Sequence, residues 1–240
     1  EILIGLVGSE MCIRDSITPE LGYSYALSYG ISTLTPEEQH YQAIALGGIT
    51  NGATNYEMTA AYAAIANYGV YNEPKLYTKV LDHDGNILID NTASASHRVI
   101  KESTAWLLDS ALRSVVTDNI TFLDSKNMYY AGKSGTSQLN TDKWFIGFSP
   151  YYTAGVWIGN DDSTPVNTNY YTMPQLNIWK DIMEHAHEGL EYTEFQKPYN
   201  IVEAEVCASS GKLAIPGLCD SDPRGSQVIK EYFEDGTVPT

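Results

Sequence analysis

The chain has 240 residues, 43% of them apolar and 18% charged, which gives length and apolar content for a buried core and excludes a disordered chain. Its formal net charge of −16 argues against nucleic acid as a partner, because that binding depends on Lys and Arg neutralising phosphates. No apolar run approaches the roughly 18 residues that would cross a bilayer.

The segment Leu6–Ser16, LVGSEMCIRDS, matches one reading frame of a transposase-end adapter used in DNA sequencing. Residues 1–16 are therefore set aside as an adapter-derived scar, with natural sequence expected from Ile17 and an upstream part lost at the junction. Cys12 falls in the scar, leaving Cys207 and Cys219.

TLTPEEQHYQAIALGG predicts a helix, with Thr35 as N-cap, Pro36 at the first position, Glu38 completing a capping box, and Gly47-Gly48 as the stop. TNYEMTAAYAAIANYG repeats the logic, with Thr54 and Glu57 as a second box and Met58, Tyr62, Ile65 and Ala66 at helical spacing. Glu57 is read as a cap in preference to a catalytic acid. PKLYTKVLDHDGNILID predicts a strand hairpin turning at Asp84-Gly85. Residues 101–116 predict a helix with Trp106, Leu107, Ala111 and Leu112 on one side.

Three short strands follow in MYYAGKSG, KWFIGF and YTAGVWIG, connected at Asn140-Thr141-Asp142 and Ser149-Pro150. MPQLNIWKDIMEHAHEGL predicts a last helix, and beyond Lys197 the Gly, Pro and Asp content rises. The strands lack the crossover helices that a parallel sheet needs, so the fold class is α/β or α+β with an antiparallel sheet flanked by helices.

AGKSGTSQ, Ala131–Gln138, admits two chemistries. A phosphate loop needs a Gly five residues before Gly132 and a helix directly after the motif. Residue 127 is Asn, and the chain runs on into an alternating strand, so that reading fails. As a strand motif, Lys133 supplies a fixed positive charge, Ser134 and Thr136 supply hydroxyls for a carboxylate, and Gly135 leaves room for a substrate backbone.

Together, IALGGITNGATNYEMTAAYAAIANYG, the Pro-led hairpin and AGKSGTSQLNTDKWFIGFSPYYTAGVWIGNDD resemble the C-terminal half of the transpeptidase domain of class A penicillin-binding proteins. VCASSGKLAIPGLC and FEDGTVPT resemble the tail of many Gram-positive members. The resemblance implies a β-lactamase/transpeptidase-like fold, with residues 17–195 as the domain half and 196–240 as an extension. It implies that Lys133, Ser134 and Thr136 form the third active-site motif on an edge strand, with Lys133 in the hydrogen-bond network around the nucleophile. The two hydroxyls would hold the terminal carboxylate of a stem peptide or β-lactam, and the Thr136 amide would supply half an oxyanion hole. Ser134 stands where many members carry Thr, which keeps the hydroxyl.

Two further motifs of that family are not in place. The one Ser-x-x-Lys, Ser209–Lys212, lies in the tail, and the one Ser-x-Asn, Ser125–Asn127, lies just before the strand; both read as surface loops. The expectation is a chain that is inert alone, from a parent serine D,D-transpeptidase that cross-links peptidoglycan on the extracytoplasmic face of the cell membrane. A D,D-carboxypeptidase, a β-lactamase and a non-catalytic wall-binding scaffold on the same fold are the rivals. No cofactor or metal is implied, and a membrane anchor is expected only upstream. The oxidising compartment implied for the tail makes a Cys207–Cys219 disulfide an expectation as well.

Other residues receive plain readings. His185 and His187 are expected on different faces of their helix, which disfavours a metal site. Trp144, Phe148, Trp157 and Trp179 are expected in the core or a cleft wall. Asp161-Asp162 reads as a solvated turn and Asp142 as a cap on the hairpin before Trp144.

Overall fold

The computed structural model describes residues 17–166 and 173–240; the expected adapter-derived segment lies outside them. Helix α1 (Pro19–Ser28) comes first, its amide at Leu21 donating to Thr18 Oγ1 at 3.4 Å. The helix expected from Thr35 is instead two 3-10 turns, Pro36–His40 and Gln42–Leu46, because Tyr41 between them is extended (φ −86°, ψ 123°). The cause is Glu38. Its carboxylate accepts from Thr35 N at 2.6 Å, as a capping box requires, but also from Thr50 N at 2.5 Å, which draws the far end of the segment back. Those two amides hold the carboxyl below the usual carboxylate range. Tyr41 and Leu46 stay about half exposed, so burial adds nothing in favour of a continuous helix.

Helix α2 (Asn55–Ala66) forms as expected. Thr54 Oγ1 accepts from Glu57 N at 3.1 Å, and Glu57 Oε2 accepts from Thr54 N at 3.3 Å. The same carboxylate takes the Ser32 amide at 3.0 Å, so Glu57 is fully engaged as a cap and a tether. Strand β1 (Val70–Asn72) pairs with β4 (Ser96–Arg98), and β2 (Lys79–Leu81) with β3 (Ile87–Asp90). The β2–β3 turn passes through Gly85 at φ +86°, where a side chain would be strained.

Helix α3 (Glu102–Ser114) runs on into a π turn, Val115–Asn119. Its buried stripe is Ala105, Asp109 and Leu112, continuing to Val116; Ala111, expected on the inner side, is exposed. The stripe is thus rotated from the expected one and contains an acid.

The main sheet is antiparallel in the order β5 (Ala131–Thr136), β6 (Asp142–Phe148), β7 (Thr153–Gly159). Alternation along the strands gives each face to a different layer. On one face Phe145 and Val156 pack with Leu176, Trp179 and Met183 of helix α4 (Pro174–Ala186). Trp179 is fully buried, meets Phe145 edge-to-face at 5.0 Å, and donates from Nε1 to Ala154 O at 2.9 Å. Burial of that one side chain is worth on the order of 4–6 kcal/mol. The other face carries Ala131 and Phe148 against Leu112 of α3 and Tyr62 and Ile65 of α2. Helices on both sides of an antiparallel sheet make the α+β sandwich read from the sequence.

Strands β8 (Ile201–Cys207) and β9 (Val228–Glu234) form a long hairpin after α4. It docks on the start of α3, where Glu234 Oε1 accepts from Ser103 Oγ at 3.2 Å and Trp106 meets Tyr232 edge-to-face at 5.0 Å.

Candidate active site

Strand β5 pairs with β6 on one side and, among the described residues, with no strand on the other, so Lys133–Thr136 lie along a sheet edge. Directly paired residues share a face. Ser134 pairs with Phe145 and Thr136 with Lys143, which places both hydroxyl residues on the α4 face. Lys133 pairs with Ile146, and through it with Gly155, which lies against Asn55 of α2. The cation and the hydroxyls therefore flank one edge from opposite faces.

The local interactions leave these groups available. Lys133 is exposed and donates from Nζ to Ser134 O at 2.8 Å. Among the described residues, neither Ser134 Oγ nor Thr136 Oγ1 bonds to another protein group. The two glycines of the motif differ. A Cβ on Gly132 would sit 2.8 Å from Gly147 Cα and Ile146 O, so the fold itself requires glycine there. A Cβ on Gly135 would meet Trp144 Cβ at 3.4 Å and no closer atom. Packing within the chain makes no such demand at Gly135.

The turn that follows is tightly built. Asp142 accepts from Trp157 Nε1 at 3.0 Å and from Thr141 Oγ1 at 2.8 Å, and its own amide donates to Ser137 Oγ at 2.8 Å. Burial works against its charge, but those hydrogen bonds outweigh it and hold the carboxyl below its ordinary range. Asp142 thus closes the β5–β6 hairpin as expected. Of the four aromatics read as core or cleft wall, Phe148 and Trp179 are in the core. Trp144 and Trp157 instead form a half-exposed cross-strand pair, 6.3 Å between ring centres, next to Gly135. Asp161-Asp162 are exposed in a turn, where Asp162 Oδ1 accepts from Thr164 N at 3.1 Å.

The two stray motifs remain apart from this edge. Ser209–Lys212 lies in an exposed turn beyond β8, where Ser209 Oγ donates to Gln227 and accepts from Arg224. Ser125–Asn127 lies in a loop that borders a cavity of about 780 Å³ beside the end of α4. A second cavity of about 880 Å³ lies between α2 and the start of β7. Neither cavity is lined by Lys133–Thr136.

Several buried polar groups escaped the sequence reading, among them Lys143, Asp109 and a Ser–His pair. Lys143, directly across from Thr136, is buried on the hydroxyl-bearing face. Asp109 is buried beside Tyr129, whose hydroxyl donates to Oδ2 at 3.0 Å, while Oδ1 has no partner among the described residues. Burial pushes its carboxyl up to about 7 against the hydrogen bond from Tyr129 and the charge of Arg113. The signal for Asp109 was present: it falls at helical spacing between Ala105 and Leu112.

The third group is a Ser–His pair. His187 Nδ1 lies 2.6 Å from Met183 O and donates to it, which leaves Nε2 to accept from Ser149 Oγ at 2.7 Å. The arrangement has the form of an activated nucleophile, but Ser149 is 2% exposed and its oxygen already accepts the Tyr151 and Tyr152 amides at 3.0 and 3.1 Å. It is a structural latch between the β6–β7 turn and α4. His185, in contrast, is exposed and bonds Asp181 O at 2.7 Å, so the two histidines do face apart. Among the described residues no cluster of three His, Cys, Asp or Glu can hold a metal.

Residues 22–184 match the family model for the penicillin binding protein transpeptidase domain, and residues 197–240 match that for the penicillin-binding protein 1A C-terminal domain. Penicillin-binding protein 1A of Clostridium botulinum is 36% identical over 94% of the chain, which spans 27% of that protein's length. The crystal structure of penicillin-binding protein 1A from Haemophilus influenzae superposes with a TM-score of 0.77 at 21% identity, covering 97% of this chain and 39% of that one. The PonA1 protein from Mycobacterium tuberculosis in complex with penicillin V follows at 0.61 and 25%, covering 75% of this chain and 53% of that one. With the family match extending over most of its length, the chain belongs to the penicillin-binding protein transpeptidase family.

Proposed function

We propose that the protein to which this chain belongs is a serine-type D,D-transpeptidase that cross-links peptidoglycan stem peptides outside the cytoplasmic membrane and is acylated by β-lactams. In this reading residues 17–195 form the C-terminal half of its transpeptidase domain and 196–240 a C-terminal extension. The observation that carries the proposal is the edge of β5, which among the described residues is open, with Lys133 on one face, two unengaged hydroxyls on the other, and Gly135 not required by packing.

The chemistry follows from those positions. A serine attacks the D-Ala-D-Ala carbonyl, the leaving D-Ala takes a proton, and an amine of a second stem peptide later displaces the serine. Ser134 and Thr136 hydroxyls donate to the terminal carboxylate of the donor peptide. Lys133 adds a charge worth about 4 kcal/mol to an anion near 4 Å at an effective dielectric near 20. The Thr136 amide donates to the oxyanion as it develops, a contact typically worth about 2.7–4 kcal/mol in the transition state. The nucleophile is not among these residues, and losing a catalytic serine costs on the order of a million-fold in serine proteases. The chain alone is therefore inert.

A fluorescent penicillin tests both statements. The 240-residue chain is expected to remain unlabelled, and a covalent adduct on any of its serines would refute its inertness. In the whole protein, Lys133→Ala is expected to slow acylation by about 10²–10³-fold. Acylation at the unaltered rate removes Lys133 from the site.

A further inference from the structure

The second cluster of reactive side chains lies far along the chain from β5. Cys207 is the last residue of β8 and pairs with Val228, the first residue of β9. From there the chain leaves the hairpin through residues 208–218 and returns at Cys219, whose carbonyl accepts from Gln227 N at 2.8 Å. Gln227 is the neighbour of Val228, and its own carbonyl accepts from Ala208 N at 2.8 Å. The backbones of the two cysteines are thus brought together by Gln227 and Val228, at the entry to β9. The two residues are 7% and 6% exposed and carry free thiols.

The excursion between them folds back on β8, where Leu213 bridges Val206 and the Ala214 amide donates to Glu205 O at 3.0 Å, but it buries little apolar surface. Leu213, Ile215 and Leu218 are 42%, 57% and 64% exposed, so it has no apolar core of its own. Gly211 and Gly217 take φ of +70° and +79°, conformations that an unfolded chain readily abandons. Its remaining ties are backbone bonds such as Cys207 N to Lys212 O at 2.8 Å, and the surface contact of Arg224 with Ser209 Oγ at 2.9 Å. A covalent link at Cys207 and Cys219 would close it at the point where it leaves and rejoins the hairpin.

We propose that Cys207 and Cys219 are a modification site, oxidised to a disulfide that staples the 208–218 excursion to the β8–β9 hairpin. The oxidant is a low-molecular-weight disulfide. One cysteine thiolate attacks it and releases one thiol, and the second cysteine then displaces the other from the mixed disulfide. Two protons and two electrons leave the protein, and two small thiols carry them away. The inference stands apart from the proposed acyl-transfer site.

The test uses the Cys12→Ser chain, which removes the third thiol. It is incubated with oxidised glutathione, alkylated without reduction, digested, and mapped by mass spectrometry. The expected result is one peptide pair joined Cys207 to Cys219, resistant to alkylation until a dithiol is added. The oxidised protein is expected to unfold roughly 5–10 °C above the reduced one. Cys207→Ser and Cys219→Ser are each expected to lose that redox-dependent shift, and the peptide map keeps the test decisive if either folds poorly. Two thiols that alkylate after oxidation, a bond joining two chains, or a link with no change in the melting temperature would each overturn the proposal.

Discussion

The glycines at 132 and 135 lie three residues apart on one strand and have different reasons to be there. Gly132 abuts Gly147 so closely that Gly132→Ala is expected to force the β5–β6 pair apart, at a cost of about 1–3 kcal/mol read by thermal melting. Gly135→Ala is expected to melt close to the unaltered chain, yet to impair β-lactam acylation of the whole protein, because its open side is where the substrate backbone would approach. A large melting-point loss at Gly135 would show that the fold, not the ligand, requires it. Asp109 offers a second test at this scale. Its carboxyl is raised to about 7 in the fold, so its protonated form is the one that suits burial. Stability linked to it is complete only below the ordinary value of 3.8 and is lost progressively as pH rises to about 7, by on the order of 4 kcal/mol in all and about 2 kcal/mol of it above pH 5.5. Chemical denaturation at pH 5.5 and 8.5 is expected to show that loss in the native chain and much less of it in Asp109→Asn, where no charge forms.

Single elements depend on latches that local sequence does not advertise. Helix α4 ends where His187 meets Ser149, and three tyrosine rings, Tyr130, Tyr151 and Tyr152, pack against the imidazole at 5.3–5.9 Å. His187→Phe retains an aromatic ring but strands the Ser149 hydroxyl, while the Met183 carbonyl keeps the backbone amide of residue 187 at 3.1 Å. It is expected to cost about 1–3 kcal/mol in denaturant melts without moving the register of β6 and β7. The elements that could be read from sequence were those fixed by local rules. Thr54 and Glu57 cap α2 through their own neighbours, and the three strands of the main sheet alternate within themselves. The segment at 35–48 carried equally good helix signals and still broke, because Glu38 found Thr50, an amide twelve residues away. The proposed site divides in the same way. Lys133–Thr136 form a contiguous motif on an edge strand, whereas Lys143 reaches the same face only through the cross-strand register. Pairing across a hairpin and the rotation of α3 both depend on tertiary packing, and no local window contains them.

At the scale of the molecule, the β8–β9 hairpin is an integral part of the body. Glu234 accepts from Ser103 Oγ and from Asn200 Nδ2, both at 3.2 Å, and lies 3.5 Å from the Lys101 ammonium, all at the start of α3. A carboxylate there also complements the positive end of the helix dipole. Glu234→Gln is expected to weaken this docking by about 1 kcal/mol, read as faster amide hydrogen exchange in β8 and β9 with little change in β6. At the opposite end of α3, Arg113 donates to the Tyr130 carbonyl at 2.9 Å, one residue ahead of β5, and forms an ion pair with Asp124 at 2.6 Å. Helix α3 is thus gripped at both tips, like a rod set between two clamps. One helix therefore fixes where the terminal hairpin sits relative to the root of the lysine-bearing edge.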